Sequence, residues 1–133
     1  METRGMRNHN PLNIRKGNNW QGESSPQTDA EFEQFQNDAY GFRAGFRIIH
    51  NGFKAIPRRD TIRKIIRRWA PSTENNTEQY IKTVSQRTGI HPDARLDYRD
   101  IMRMTKIIQA MAFVETGHEY NMRVIITGYN LEH

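Results

Sequence analysis

The sequence predicts one mainly α-helical domain with a short extended portion near its N-terminus. Three observations carry that expectation. Apolar residues recur at helical spacing in several segments bounded by capping and stop residues. The first 38 residues lack that period and are polar and Asn-rich. A chain of 133 residues with 35% hydrophobic content suffices for one small core and no more. The domain is expected over 1–130, with Leu131-Glu132-His133 read as the remnant of an expression tag and set aside.

Along 1–38, Gly5, Gly17, Gly22 and Ser24-Ser25-Pro26 punctuate irregular structure, with short extended pieces around Leu12–Ile14 and Glu31–Phe35. Leu12, Ile14, Trp20, Phe32 and Phe35 supply enough anchors to dock the segment on a core. A helix follows over about Ala39–Asn51, capped by Asp38, with Tyr40, Phe42, Phe46 and Ile49 largely on one face and Gly52 as its stop. Gly41 and Gly45, four apart, weaken that helix and so imply close packing or approach of a ligand to the backbone. Asp60 caps a short helix, Thr61–Trp69, which carries an Ile62, Ile65, Ile66, Trp69 stripe, and six basic residues crowd Arg58–Arg68. The next helix starts at Asn76 or Thr77, ends at Thr88 and stops at Gly89. Glu74 is placed to serve its first turn as a capping carboxylate.

Asp97 is expected to cap the longest helix, about Tyr98–Thr116. Its stripe of Ile101, Met104, Ile108, Met111 and Ala112, widened by Met102, Ile107 and Val114, predicts the central helix, packed on the Ala39–Asn51 and Thr77–Thr88 helices. Gly117 ends it. Met122–Thr127 is too short for its period to distinguish a strand from a helical turn.

Composition narrows the function. There is no cysteine, hence no disulfide, thiolate metal site or cysteine nucleophile. The five histidines form no HxxxH pair, so neither metal nor cofactor is expected. No apolar run reaches the length of a membrane span. No signal peptide opens the chain, so synthesis in the bacterial cytoplasm is expected. With 20 basic against 15 acidic residues the net charge is +5. A basic surface suits a polyanionic partner, whether nucleic acid, cell-wall polymer or lipid head groups.

Glu115 is the strongest chemical candidate. It follows Met111, Ala112, Phe113 and Val114 at the end of the most apolar helix. Desolvation there raises a carboxyl's pKa and suits it to donate a proton, and the helix dipole disfavours a carboxylate at that end. The plainer alternative is a solvated carboxylate on the last turn. Asn8, Asn10 and Asn13, around Pro11, either staple their own loop or line a site for a ligand rich in hydroxyl and amide groups. The basic cluster Arg58–Arg68 is either a solvated face or a phosphate-binding patch.

The run RGMRNHNPLNIR, then WQG, FEQF and AYGFRAGFRII, resembles a family of small phage and prophage proteins often labelled virion structural proteins. The resemblance continues through TIRKIIRRWAPSTENNTEQYI, a W-A-P-x-x-E-N-x-T-x-x-Y pattern, to the E-x-G element in AMAFVETGHEYN. The N-P-L-N-I…W-Q-G…F-E-Q-F order is also similar to a segment of lysozyme-like cell-wall glucosaminidases. In those enzymes the segment follows the catalytic Glu helix, whereas here E-T-G at 115–117 comes after it, as in a circular permutation.

This second resemblance implies a lysozyme-like helical fold with Glu115 as catalytic acid. It also implies Asn10, Asn13 and Trp20 near the substrate. Unless the route is substrate-assisted, glycoside cleavage needs a second carboxylate, for which Asp29, Glu31 and Glu33 are the candidates near that segment, Asp29 and Glu31 ahead of Glu33, which is read as facing solvent. The expected function is cleavage of the peptidoglycan glycan strand, at the cell wall or within a virion beside other virion proteins. The alternatives are a non-catalytic virion component and a nucleic-acid-binding protein using Arg58–Arg68.

Overall fold

Among the described residues, all but the shortest helix begin at a side chain that accepts from a backbone N–H of the first turn. The structure, a computed structural model, describes residues 2–72 and 76–132. The capping role expected of Glu74, and the nature of His133, lie outside the described residues. Six helices occur among them: α1 (Arg4–Arg7), α2 (Asp38–Phe53), α3 (Ile62–Trp69), α4 (Thr77–Thr88), α5 (Ile101–Thr116) and α6 (Met122–Leu131). None is long and apolar enough to cross a membrane.

The caps refine the expected boundaries. α2 is capped by the Asn37 side chain, which accepts from the Tyr40 N–H, so Asp38 is the first helical residue. Gly52 lies inside α2, and the helix ends at Lys54 in ordinary right-handed backbone. Thr61, not Asp60, caps α3 by accepting from the Lys64 N–H. Asp60 instead pairs with Lys64 and Arg95. α4 is capped by Asn76 and stops at left-handed Gly89, as expected.

α5 begins three residues later than expected. Asp100 caps it, while Asp97 accepts from the Arg99 N–H and guanidinium in the preceding turn. α6 settles the ambiguity over 122–127 in favour of helix, capped by Asn121.

The N-terminal segment is ordered by docking. Leu12 is completely buried and Phe35 nearly so. Its extended pieces amount to two isolated antiparallel bridges, Arg15 with Phe32 and Glu23 with Phe35. The glycines of α2 explain the close approach. A Cβ at Gly41 would meet the His9 carbonyl oxygen and Pro11, and one at Gly45 would meet Leu12. The segment itself thus occupies the space those glycines leave.

α5 is central, with Met104, Ile107, Ile108, Met111 and Ala112 fully buried against α4, α6 and α1. Two expectations fail here. Met102 is 61% exposed and Val114 is also exposed, so the apolar face of α5 is narrower than its composition suggests. The main partner of α2 is α6 rather than α5, with the edge-on ring pair Phe46–Tyr129 between them and Phe42–Tyr120 joining α2 to the turn before α6.

The C-terminal residues are integrated. Leu131 closes α6, and its carbonyl accepts from Arg43 Nε. The Glu132 carboxylate is buried and accepts from Tyr98, His50 and Arg47. Leu131 and Glu132, set aside above as a tag remnant, thus make contacts with α2 and with Tyr98.

Candidate active site

The C-terminal end of α5 leaves carbonyl groups without helical partners. The N-terminal segment supplies donors for two of them. Thr3 Oγ1 donates to the Thr116 carbonyl at 3.1 Å, and Asn13 Nδ2 donates to the Glu115 carbonyl at 3.2 Å. Asn13 also donates to Glu115 Oε1 at 2.9 Å. Residues 102 positions apart are thereby joined at one point.

Asn13 reaches this position from left-handed backbone, φ 52°. That conformation is costly for most side chains and tolerated by Asn. Gly5 makes room beneath it: a Cβ there would stand 2.7 Å from Asn13 Oδ1 and 2.9 Å from Thr116 Cγ2. The glycine of R-G-M-R is thus a close-approach residue for the end of α5.

The other carboxyl oxygen of Glu115 accepts from the Tyr80 hydroxyl on α4 at 3.0 Å. Glu115 is half-buried and Tyr80 buried. Burial raises the Glu115 pKa. The hydrogen bonds from Asn13 and Tyr80 favour the charged form and oppose this, and burial prevails. Tyr80 is itself held well above its ordinary value by burial and by the Glu115 charge, so it remains a donor. From its sequence neighbourhood Tyr80 reads only as a core residue. The one signal of a further role is its place at the end of the W-A-P-x-x-E-N-x-T-x-x-Y pattern.

The remaining expected site residues fall elsewhere. Asn10 is completely buried. Its amide donates to the Ile14 and Glu33 carbonyls and its oxygen accepts from the Ile14 N–H. It staples the loop, with both ends of its amide engaged there. Trp20 is half-buried against the core, with its indole N–H buried and unpartnered. Among the described residues no hydrogen bond or ring contact ties Trp20 to Glu115.

Asp29 is a loop clamp. It accepts from Arg4 at 2.6 and 2.7 Å, from Asn8, and from the N–H groups of Glu31 and Phe32. Those donors, Arg4 first, hold it far below the usual carboxylate range. Such a carboxylate is a poor base. Glu31 is largely exposed and paired with Arg4 and Arg15.

Glu33, expected to face solvent, is only 3% exposed. Its N–H donates to the Ile14 carbonyl, which turns the side chain inward. Burial, then the hydrogen bond and charge of Glu23, push its carboxyl up to about 7 against Lys16 and the Gly17 N–H. The basic cluster is partly neutralised: Arg63 pairs with Asp93 and Glu78, Arg67 with Glu78, and Lys64 with Asp60.

Comparison with known proteins places this arrangement in a family. The chain is 39% identical over 118 residues to protein P5 of Pseudoalteromonas phage PM2, covering 86% of this chain and 71% of that protein. The chain belongs to the P5 family. No family model matches the sequence. Membership in the P5 family bears out the expected kinship with phage proteins at that level. The name P5 carries no chemistry, so the function of a P5-family chain has to be argued from its own residues.

Proposed function

We propose that the chain is a muralytic enzyme of a phage or prophage, cleaving the glycan strand of peptidoglycan with Glu115 as the proton donor. The observation that carries this reading is the Glu115 carboxyl itself. It is desolvated at the end of the central helix, with one oxygen held by Asn13 and the other by Tyr80. Desolvation keeps a fraction of the acid protonated at pH values where an exposed glutamate is fully ionised. The two hydrogen bonds fix the plane of the carboxyl, so its proton has a defined direction toward a bound glycosidic oxygen. The lysozyme-like likeness of the N-P-L-N-I…W-Q-G…F-E-Q-F segment and the membership in a phage family point the same way.

The proton passes from Glu115 to the glycosidic oxygen as the bond to the anomeric carbon breaks. Asp29 is saturated with donors, so it is not the second group. The reading therefore favours a route in which the substrate's own acetamide oxygen meets the developing positive charge, as in substrate-assisted glycosidases. The net charge of +5 assists approach to an anionic wall.

Glu115→Gln tests the proposal. It preserves shape and the acceptor for Asn13, lets the Tyr80 hydroxyl turn to the Met111 carbonyl and accept from the new amide, and removes the transferable proton. It should leave the thermal midpoint within a few degrees of wild type and lower release of soluble fragments from purified peptidoglycan by about 100-fold or more. Full activity in the variant would overturn the assignment. A wild type that releases nothing would favour the non-catalytic virion component.

A further inference from the structure

A cavity of about 460 Å³ opens on the molecule between the end of α2, the α2–α3 loop and the turn before α5. None of the residues that hold Glu115 lines it. Its rim carries four permanent cations, Lys54, Arg58, Arg95 and Arg99, against two carboxylates, Asp60 and Asp97. The carboxylates are already engaged. Asp97 accepts two bonds from the Arg99 guanidinium, and Asp60 pairs with Lys64 and Arg95. Lys54 and Arg58 have no acidic partner among the described residues and are exposed. Two uncompensated cations therefore face one concavity from either side of a short loop.

The floor beneath them is rigid. The His50 and Tyr98 rings stack at 3.9 Å between centroids, only 4° from parallel, and Phe53 meets Tyr98 edge-on at 5.7 Å. Glu132 fastens this floor from below. One of its oxygens accepts from both His50 Nδ1 and the Tyr98 hydroxyl, and Arg47 donates to the other. Burial alone would raise the Glu132 pKa, but the three hydrogen bonds outweigh it and hold the carboxylate ionised. A floor pinned by a buried charge, under cations on mobile stems, has the makings of an anion site whose walls need little reorganisation.

We infer that this cavity binds a phosphate-bearing anion, its oxygens held by Lys54 and Arg58 with Arg95 turning from Asp60 to join them. Phosphate chemistry suits the site because Arg offers paired donors to tetrahedral oxyanions and Lys a point charge. The inference stands apart from the Glu115 reading and survives its failure.

The test uses the whole chain with inorganic pyrophosphate as probe, followed by amide and side-chain NMR at low salt. Saturable shifts should concentrate at residues 50–60 and 95–99, with a dissociation constant in the range of roughly 0.1–1 mM. Lys54 and Arg58 are exposed and unpaired, so K54A/R58A should fold normally and bind about tenfold more weakly. K82A/R123A removes the same charge elsewhere and should leave binding unchanged. A short single-stranded oligonucleotide competing with pyrophosphate would identify the source as a nucleic-acid backbone, and its failure to compete would identify a small phosphate ester. The inference is overturned if no saturable shift occurs up to about 10 mM, or if K54A/R58A and K82A/R123A weaken binding equally.

Discussion

At the scale of single residues, the decisive contact joins Asn13 to Glu115. Asn13→Gly accepts the same left-handed backbone but deletes the amide donor. A hydrogen bond to the charged form lowers a carboxyl's pKa, so its loss should raise that of Glu115 further, read by carboxyl-carbon NMR titration. An unchanged titration would mean that water replaces the amide. Wall cleavage should decline as pH rises through the raised Glu115 pKa, because the donor must be protonated. Glu33 gives a separate, structural pH dependence. Its folded-state pKa of about 7 lies above its ordinary 4.5, so the native state binds the extra proton. The stability it contributes is fully present below about 4.5 and lost as pH rises through 7, by up to about 3 kcal/mol. Urea midpoints measured from pH 4 to 8 should show this slope, and Glu33→Gln should flatten it.

At the scale of elements, the N-terminal segment and α2 fit each other because two glycines let them. Gly41→Ala would gain about 1 kcal/mol in an isolated helix. In the fold its Cβ meets the His9 carbonyl, and backbone cannot step aside cheaply. The net effect should be a loss of about 1–3 kcal/mol in denaturant unfolding, and a stabilised variant would show that the segment does not dock on α2. Trp69 belongs to the same contact. It is half-buried, and its indole N–H donates to the Leu12 carbonyl at 3.3 Å. Trp69→Ala should cost about 2–4 kcal/mol, toward the lower part of the range for large-to-small aromatic changes because part of the ring is already solvated. Helices α2 to α5 and the stops at Gly89 and Gly117 were legible from spacing and capping chemistry, whereas α1 was not read at all and α6 stood only as an alternative to a strand. The cap positions slipped by one to three residues where two acceptors compete, as at Asp60 and Thr61 or Asp97 and Asp100.

At the scale of the whole molecule, the first and last described segments are tied to the helices between them. Asn10 ties the N-terminal loop to the extended piece around Glu33, and Glu132 ties the segment after α6 to α2 and to the turn before α5. Glu132→Ala removes an acceptor that serves three donors, two of them on α2. Its loss should destabilise by about 2–3 kcal/mol and loosen the His50–Tyr98 stack, which near-ultraviolet circular dichroism would register. A change below about 0.5 kcal/mol would mark the C-terminal contact as incidental. Because the N-terminal segment covers the end of α5, hydrogen exchange at Asn10 and Ile14 should slow to the rate of α5 core amides.

From sequence alone follow a mainly helical chain, a central helix over about 98–116 and a glutamate near its end with apolar sequence neighbours. These follow from local rules, since period, caps and apolar neighbours all act within a few residues. The sequence also marked Asn13 as a polar group suited to a site. What only tertiary structure decided is which of several similar groups does which task. Asn10 and Asn13 are alike in sequence, yet one is completely buried as a staple and the other reaches Glu115. Asp29, Glu31 and Glu33 are near neighbours, yet one is clamped by Arg4, one is solvated and one is buried against Glu23. Tyr80 becomes a partner of Glu115 only because α4 packs along α5. Donors, charges and burial reach a side chain through space, from residues far away along the chain, and no local pattern encodes their arrival.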